Sequence, residues 1–172
     1  MIGRTRLSEV EEHLEGARAE KALRRIVDEA EIRRAVDEID NACDAQDWAR
    51  CRYFFADEVD VDFTQLSGGE PARIKADDLI AAWRTNLFEE KKSFHLRGNH
   101  HIIIDGDRAE VFSKGYAFNL LESGEAAGLW EVWGEYVHKL EKTEAGWRVS
   151  GMTLKVSHRR GDERVRNYTP ET

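Results

Sequence analysis

The sequence predicts an α+β fold in which a curved antiparallel sheet wraps around helices, and three observations carry that reading. The first third of the 172 residues has helical composition and period. Four long strand-like runs then follow in series, separated by short turn-forming segments. Aromatic side chains concentrate on the elements that would face one another, so the layers are expected to enclose a cone-shaped cavity rather than pack flat.

Residues 7–27 are rich in Glu, Ala, Arg and Leu but carry only a thin apolar stripe, and residues 1–27 are assigned to an N-terminal helical extension. Ile32, Val36, Ile39 and Cys43 then recur at steps of four, three and four, which marks one buried helix face. Asp47 is placed to cap a short helix running through Cys51 to Phe55, with Trp48 as its anchor. After Asp57 the period becomes two. Val59, Val61 and Phe63 alternate with Asp60, Asp62 and Thr64, as in a half-buried strand.

Ser67-Gly68-Gly69-Glu70-Pro71 reads as a loop, and residues 77–90, with Leu79, Ile80, Trp83, Leu87 and Phe88, as an amphipathic helix. The four strand runs are 93–104, 108–121, 129–142 and 147–158. Asp105-Gly106-Asp107, Glu122-Ser123-Gly124-Glu125 and Glu144-Ala145-Gly146 supply the turn chemistry between them. Residues 28–158 make the domain. Residues 159–172 are a polar tail whose arginines are expected to form a solvated face.

Composition limits the function. Two prolines and no Ser/Gly-rich stretch argue for one domain without an internal linker. Lys+Arg 26 against Asp+Glu 34 gives a net charge of −8, which disfavours nucleic acid, an anionic membrane or long-range attraction of acidic substrates. No run is apolar enough to span a bilayer, and Met1-Ile2-Gly3-Arg4-Thr5-Arg6 lacks the apolar block of a signal peptide, so a cytoplasmic protein is expected. Cys43 and Cys51 are the only cysteines and sit in a helical region without ligand spacing around them. Small apolar fillers are expected there, with neither a disulfide nor a zinc site.

Two residues stand out for chemistry: Asp44, closing the early helix, and His95, on the first long strand. A carboxylate holding an imidazole by one nitrogen leaves the other free to remove a proton and raises its basicity. Periodicity alone does not select Asp44, because Asp40 and Asp47 lie nearer the apolar stripe. On an ideal strand His95 shares a face with Arg97, Asn99 and His101, opposite Phe94, Leu96, Ile102 and Ile104. Gly98 is a candidate bulge that would change this phase midway. His100 and His101 are the rival bases, and no acidic partner at ligand spacing makes them a metal site. Phe54, Phe55, Phe63, Trp83, Phe88, Tyr116, Phe118, Trp130, Trp133 and Tyr136 are available as cavity walls, and the Tyr136 hydroxyl as a donor to a ligand.

The order Ala42-Cys43-Asp44-Ala45-Gln46-Asp47-Trp48, Phe94 to Asn99, Asp105-Gly106-Asp107-Arg108-Ala109-Glu110-Val111 and Gly146-Trp147-Arg148-Val149 resembles the SnoaL-like group of the nuclear-transport-factor-2-like superfamily, over roughly residues 28–158. The resemblance implies the cystatin/NTF2-like cone: a curved antiparallel sheet around three helices, here with the N-terminal extension added. Within that group the scytalone dehydratases and hexachlorocyclohexane dehydrochlorinases use an Asp–His pair without metal or cofactor, at positions matching Asp44 and His95. The chain departs from the scytalone pattern: Phe63 and Cys43 stand where tyrosines are expected, and no histidine falls near residues 119–121.

The resemblance therefore implies a cofactor-independent lyase or isomerase acting on a small, apolar, cyclic molecule, with His95 as base and Asp44 orienting it. Phe55, Phe63, Trp83, Phe88, Asn99, Phe118, Trp133 and Tyr136 are the expected substrate contacts, no metal or other cofactor is expected, and a homo-oligomer, dimer or trimer, is implied. The alternative is a non-catalytic ligand-binding or scaffold domain of the same fold, such as a dioxygenase small subunit.

Overall fold

The computed structural model describes residues 2–170, with side chains from residue 13 onward. The chain begins with α1 (Ile2–Asp44) and α2 (Trp48–Tyr53), enters the sheet at β1 (Phe55–Asp62), and turns through α3 (Thr64–Ser67) into β2 (Ala72–Lys75). Helix α4 (Ala76–Asn86) then leads to the meander β3 (Lys92–Asp105), β4 (Arg108–Leu121), β5 (Gly128–Thr143) and β6 (Gly146–Gly161), followed by α5 (Glu163–Asn167). All six strands form one sheet in the order β2-β1-β6-β5-β4-β3.

The sheet is mixed rather than wholly antiparallel, since β1 runs parallel to β6. Chain parity explains this. Helix α4 carries the chain to the far edge, and a four-strand meander returns β6 antiparallel to β3, in the direction of β1. Register shifts in β1, β3 and β6 add local bends, which curve the sheet around the helices.

Helix α1 runs on without a break across residue 27, so that the 43 residues of the N-terminal stretch and the first buried helix face are one helix. At 1.5 Å per residue such a helix is about 65 Å long. Residues 13–27 are exposed throughout, and burial begins only at Ile32, where the four-three-four stripe sets in. Ile32, Val36 and Ile39 pack with Val59, Val111, Leu140, Trp147 and Val149 in the main core. Each such aliphatic side chain contributes about 1.5–3 kcal/mol on burial. Trp147 ties the sheet to α1 through Nε1–H to Asp28 Oδ1 at 2.8 Å.

Asp47 caps α2 as expected, its Oδ1 accepting from the Arg50 amide at 3.1 Å. Three short elements are additions to the sequence reading. Asp62 Oδ1 accepts from both the amide and the hydroxyl of Thr64, ending β1 before Phe63 and starting α3. Strand β2 is a four-residue edge. The tail, read as a solvated appendage, forms α5, whose Val165 is fully buried against Trp130, Ala126 and Leu121. Asp162 caps this helix by accepting from the Arg164 amide. The tail's last two residues lie outside the described range. Cys43 and Cys51 are buried free thiols, with Sγ atoms 3.5 Å apart. No helix among the described residues is long and apolar enough to cross a membrane.

Candidate active site

Asp44 is the last residue of α1, and the left-handed Gln46 (φ 53°) turns the chain away after it. This leaves the carboxylate free to meet β3. There it accepts three hydrogen bonds: from His95 Nδ1 at 2.6 Å, from the His95 amide at 2.6 Å, and from Ser93 Oγ at 2.8 Å. A carboxylate only accepts, so Nδ1 carries the proton and Nε2 is left as the basic nitrogen. His95 lines a cavity of about 360 Å³ that opens to solvent, while Asp44 stands behind it; both side chains are only about a fifth exposed.

Burial alone would lower the His95 pKa. The Asp44 hydrogen bond, with the charges of Asp40 and Asp44, outweighs burial and the opposing Arg97, and holds the imidazole above its ordinary 6.5. Burial would raise Asp44, but its bonds to His95 and Ser93 bring it below the usual carboxylate value.

A second acid–base pair runs beside the first. Asp40 precedes Asp44 by one helical turn, and Arg97 follows His95 by two strand residues. Arg97 donates to Asp40 from Nε at 2.8 Å and Nη2 at 2.7 Å, a bidentate pair with side chains 3% and 9% exposed. The Arg97 guanidinium lies over the Tyr136 ring, Cζ 3.8 Å from its centroid. Four residues of β3 and α1 thus interlock at the polar end of the cavity. Ile39, Phe63, Leu66, Trp83, Trp130, Val132 and Leu154 supply the apolar wall, interrupted by Ser67, Asn86, Asn119, Arg166 and Asn167. Ala117 is paired directly with His95, and its small side chain leaves room above the imidazole.

The structure brings His95, Phe63, Trp83 and Tyr136 to this cavity and places five expected contacts elsewhere. Phe55 is core, edge-on to Trp83. Phe88 belongs to the smaller cluster, against Tyr168. Asn99 is exposed, in the left-handed conformation (φ 55°) at the bulge between Gly98 and His101. Phe118 stacks on Phe94 and Trp133 on Tyr116, both on the outer sheet face, because alternate residues of β4 and β5 point away from the helices.

The bulge also sends the rival histidines to opposite faces. Beyond it His100 turns inward, with Nε2 2.9 Å from Asp37 Oδ1, whereas His101 is exposed beside Phe112.

Several cavity residues were not expected. Asp40 and Arg97 carried a signal in their spacing, each one repeat from a dyad member on the same face. Asn119 is paired across the sheet with Trp130, and both line the cavity. Arg166 and Asn167 arrive from α5, which no hydrophobic period announces. Arg166 Nη1 donates to Leu66 O at 2.9 Å, and Asn86 and Lys91 both bond Arg166 O, so the tail closes one side of the cavity. Burial, with Arg166 nearby, lowers the Lys91 pKa to about 8.

The SnoaL-like domain family matches residues 24–153. No curated protein matches the chain. Among solved structures, the Kfla4162 protein from Kribbella flavida is 27% identical with a TM-score of 0.73, over 78% of this chain and 93% of that one. A hexachlorocyclohexane dehydrochlorinase, LinA type 2, is 12% identical with a TM-score of 0.68, over 81% and 92%. An NTF2-like protein with a cystatin-like fold from Novosphingobium aromaticivorans is 16% identical with a TM-score of 0.65, over 81% and 88%. The last two are similar in fold.

Proposed function

The chain belongs to the SnoaL-like domain family, and on that premise we propose that it is a general-base lyase or isomerase for a small, largely apolar ring compound. The observation that carries this reading is the contact of His95 Nδ1 with Asp44, made by a histidine that lines the cavity. His95 takes a proton from a carbon beside a carbonyl or a leaving group, and Asp44 holds the tautomer and stabilises the imidazolium. The apolar wall binds the ring and excludes water, which strengthens every charge interaction in the site. A solved structure of the same fold is a dehydrochlorinase, and a proton-abstracting dyad suits that class of chemistry.

The test is solvent exchange. Ring ketones such as 2-tetralone are incubated with the protein in D2O, and deuterium at the carbon beside the carbonyl is followed by NMR. The wild type is expected to accelerate exchange, and folded His95→Ala to lose roughly 10²–10⁴ of that rate. Equal rates in the two proteins would leave the non-catalytic binding domain as the surviving reading.

The same proposal includes a homo-oligomer formed through the outer sheet face. Phe94 (45% exposed) and Leu96 (60%) stand there beside Phe118 and Trp133, an exposed apolar cluster that a second copy would cover.

A further inference from the structure

Tyr136 is held in a way that proton abstraction at His95 does not by itself require. It starts on β5 opposite Ser113, yet its ring lies over Gly115 of β4, where a Cβ would stand 2.7 Å from Cε2 and 3.0 Å from Cδ2. Gly115 is paired with Arg97 on one side and Gly134 on the other. The missing side chain at Gly115 lets the ring lean across β4 until it meets the Arg97 guanidinium. His138 stacks on the same ring, 5.8 Å between centroids and 16° from parallel. Asp40 in turn fixes Arg97.

The Arg97 guanidinium sits on the ring face, and its charge and N–H groups act on the Tyr136 hydroxyl oxygen. Arginine has no acceptor, so the phenolic proton is unused whatever Arg97 does. Among the described residues nothing accepts it, and Tyr136 lines the cavity that His95 lines.

We propose that Tyr136 donates this proton in a hydrogen bond to an oxygen of the ligand, so that the substrate class is a ring carbonyl compound with its acidic C–H beside that carbonyl. The proposal rests on His95 acting as the base and narrows what it acts on. Nε2 takes the proton, the C–H electron pair becomes the C=C bond of an enolate, and the carbonyl π pair moves onto oxygen. There Tyr136 O–H and the Arg97 charge stabilise it. The imidazolium then returns the proton, to another carbon in an isomerisation or to a departing hydroxyl that leaves as water. Elimination of halide from a hydrocarbon ring would give Tyr136 no partner. Burial keeps the phenol above its ordinary pKa of 10, so it remains a donor at neutral pH.

The experiment measures binding of 2-naphthol, a flat mimic of the 2-tetralone enolate, and of naphthalene as the oxygen-free control. Wild type is expected to prefer 2-naphthol. Tyr136→Phe should weaken 2-naphthol roughly tenfold and leave naphthalene unchanged, as loss of one hydrogen bond requires. If Tyr136→Phe does not fold, Gly115→Ala, which drives the ring off Arg97, should give the same selective loss. Folded His95→Ala should keep the Tyr136-dependent preference, so failure of the base reading, seen in the exchange assay, is separate from failure here. Equal 2-naphthol affinity in wild type and Tyr136→Phe, or no preference over naphthalene in wild type, overturns the proposal.

Discussion

Asp44 and His95 stabilise the fold over a pH window that their shifts define. Asp44, held below the ordinary aspartate value of 3.8, contributes fully above pH 3.8 and loses its share as pH falls through the lowered value. His95, held above 6.5, contributes fully below pH 6.5 and loses its share as pH rises through the raised value. These are two ends of one interaction and are counted once. His138 works in the opposite sense. It is fully buried with both ring nitrogens unpartnered, and burial, with the charges of Arg97 and His100, pushes its pKa well below 6.5. Below pH 6.5 the unfolded chain binds a proton there that the folded chain does not, so this residue makes the protein acid-sensitive. His138→Leu is expected to raise stability by about 1–3 kcal/mol and to flatten its decline between pH 6.5 and 5, measured by urea unfolding. A steeper decline in the variant would refute this account of His138. At this scale the sequence was partly legible. Residue type offered Asp44 and His95 only among Asp40, Asp47, His100 and His101, and it was the family resemblance that paired them, while Gly98 marked the neighbourhood of the bulge. The direction in which His100 and His101 point could not be read, because it depends on how the bulge resets the phase of β3.

The elements differ in what announced them. The four long strands and α4 show clear periods, and their observed bounds lie close to those expected, save that α4 stops at Asn86 because Leu87 leaves the helical conformation. Helix α3, strand β2 and helix α5 are each too short for a period to show. Of these α5 matters most for the site, since it carries Arg166 and Asn167 to the cavity and is held by Val165 packing. Val165→Ala is expected to cost about 2 kcal/mol. It should weaken 2-naphthol binding while leaving the Asp44–His95 contact intact. A destabilised variant with undiminished binding would show that α5 closes nothing. The aromatic wall was harder to read than the helices. Phe118 and Trp133 are as apolar as Trp130 and Tyr136, and only the strand register separates those that face outward.

At the scale of the molecule, the sheet lines the cavity with its inner face and carries an apolar cluster of Phe94, Leu96, Phe118 and Trp133 on its outer face. If the outer face pairs copies of the chain, Leu96→Glu, 60% exposed and remote from the core, should convert the oligomer to monomer in light scattering without lowering the melting temperature of the monomer. A wild-type monomer at all concentrations would refute the interface. The long exposed portion of α1 has no partner among the described residues, and nothing in its composition predicted one. The central claim is that Asp44 sets the basicity of a His95 that works inside the cavity. Its most direct measurement is the pH profile of 2-tetralone solvent exchange in wild type and Asp44→Asn. The wild-type rate is expected to rise through an inflection above pH 6.5, as His95 loses its proton. In Asp44→Asn the amide can still orient the ring but carries no charge. The inflection should therefore move to lower pH and the plateau should fall by roughly 10². An inflection and plateau that Asp44→Asn leaves unchanged would contradict it.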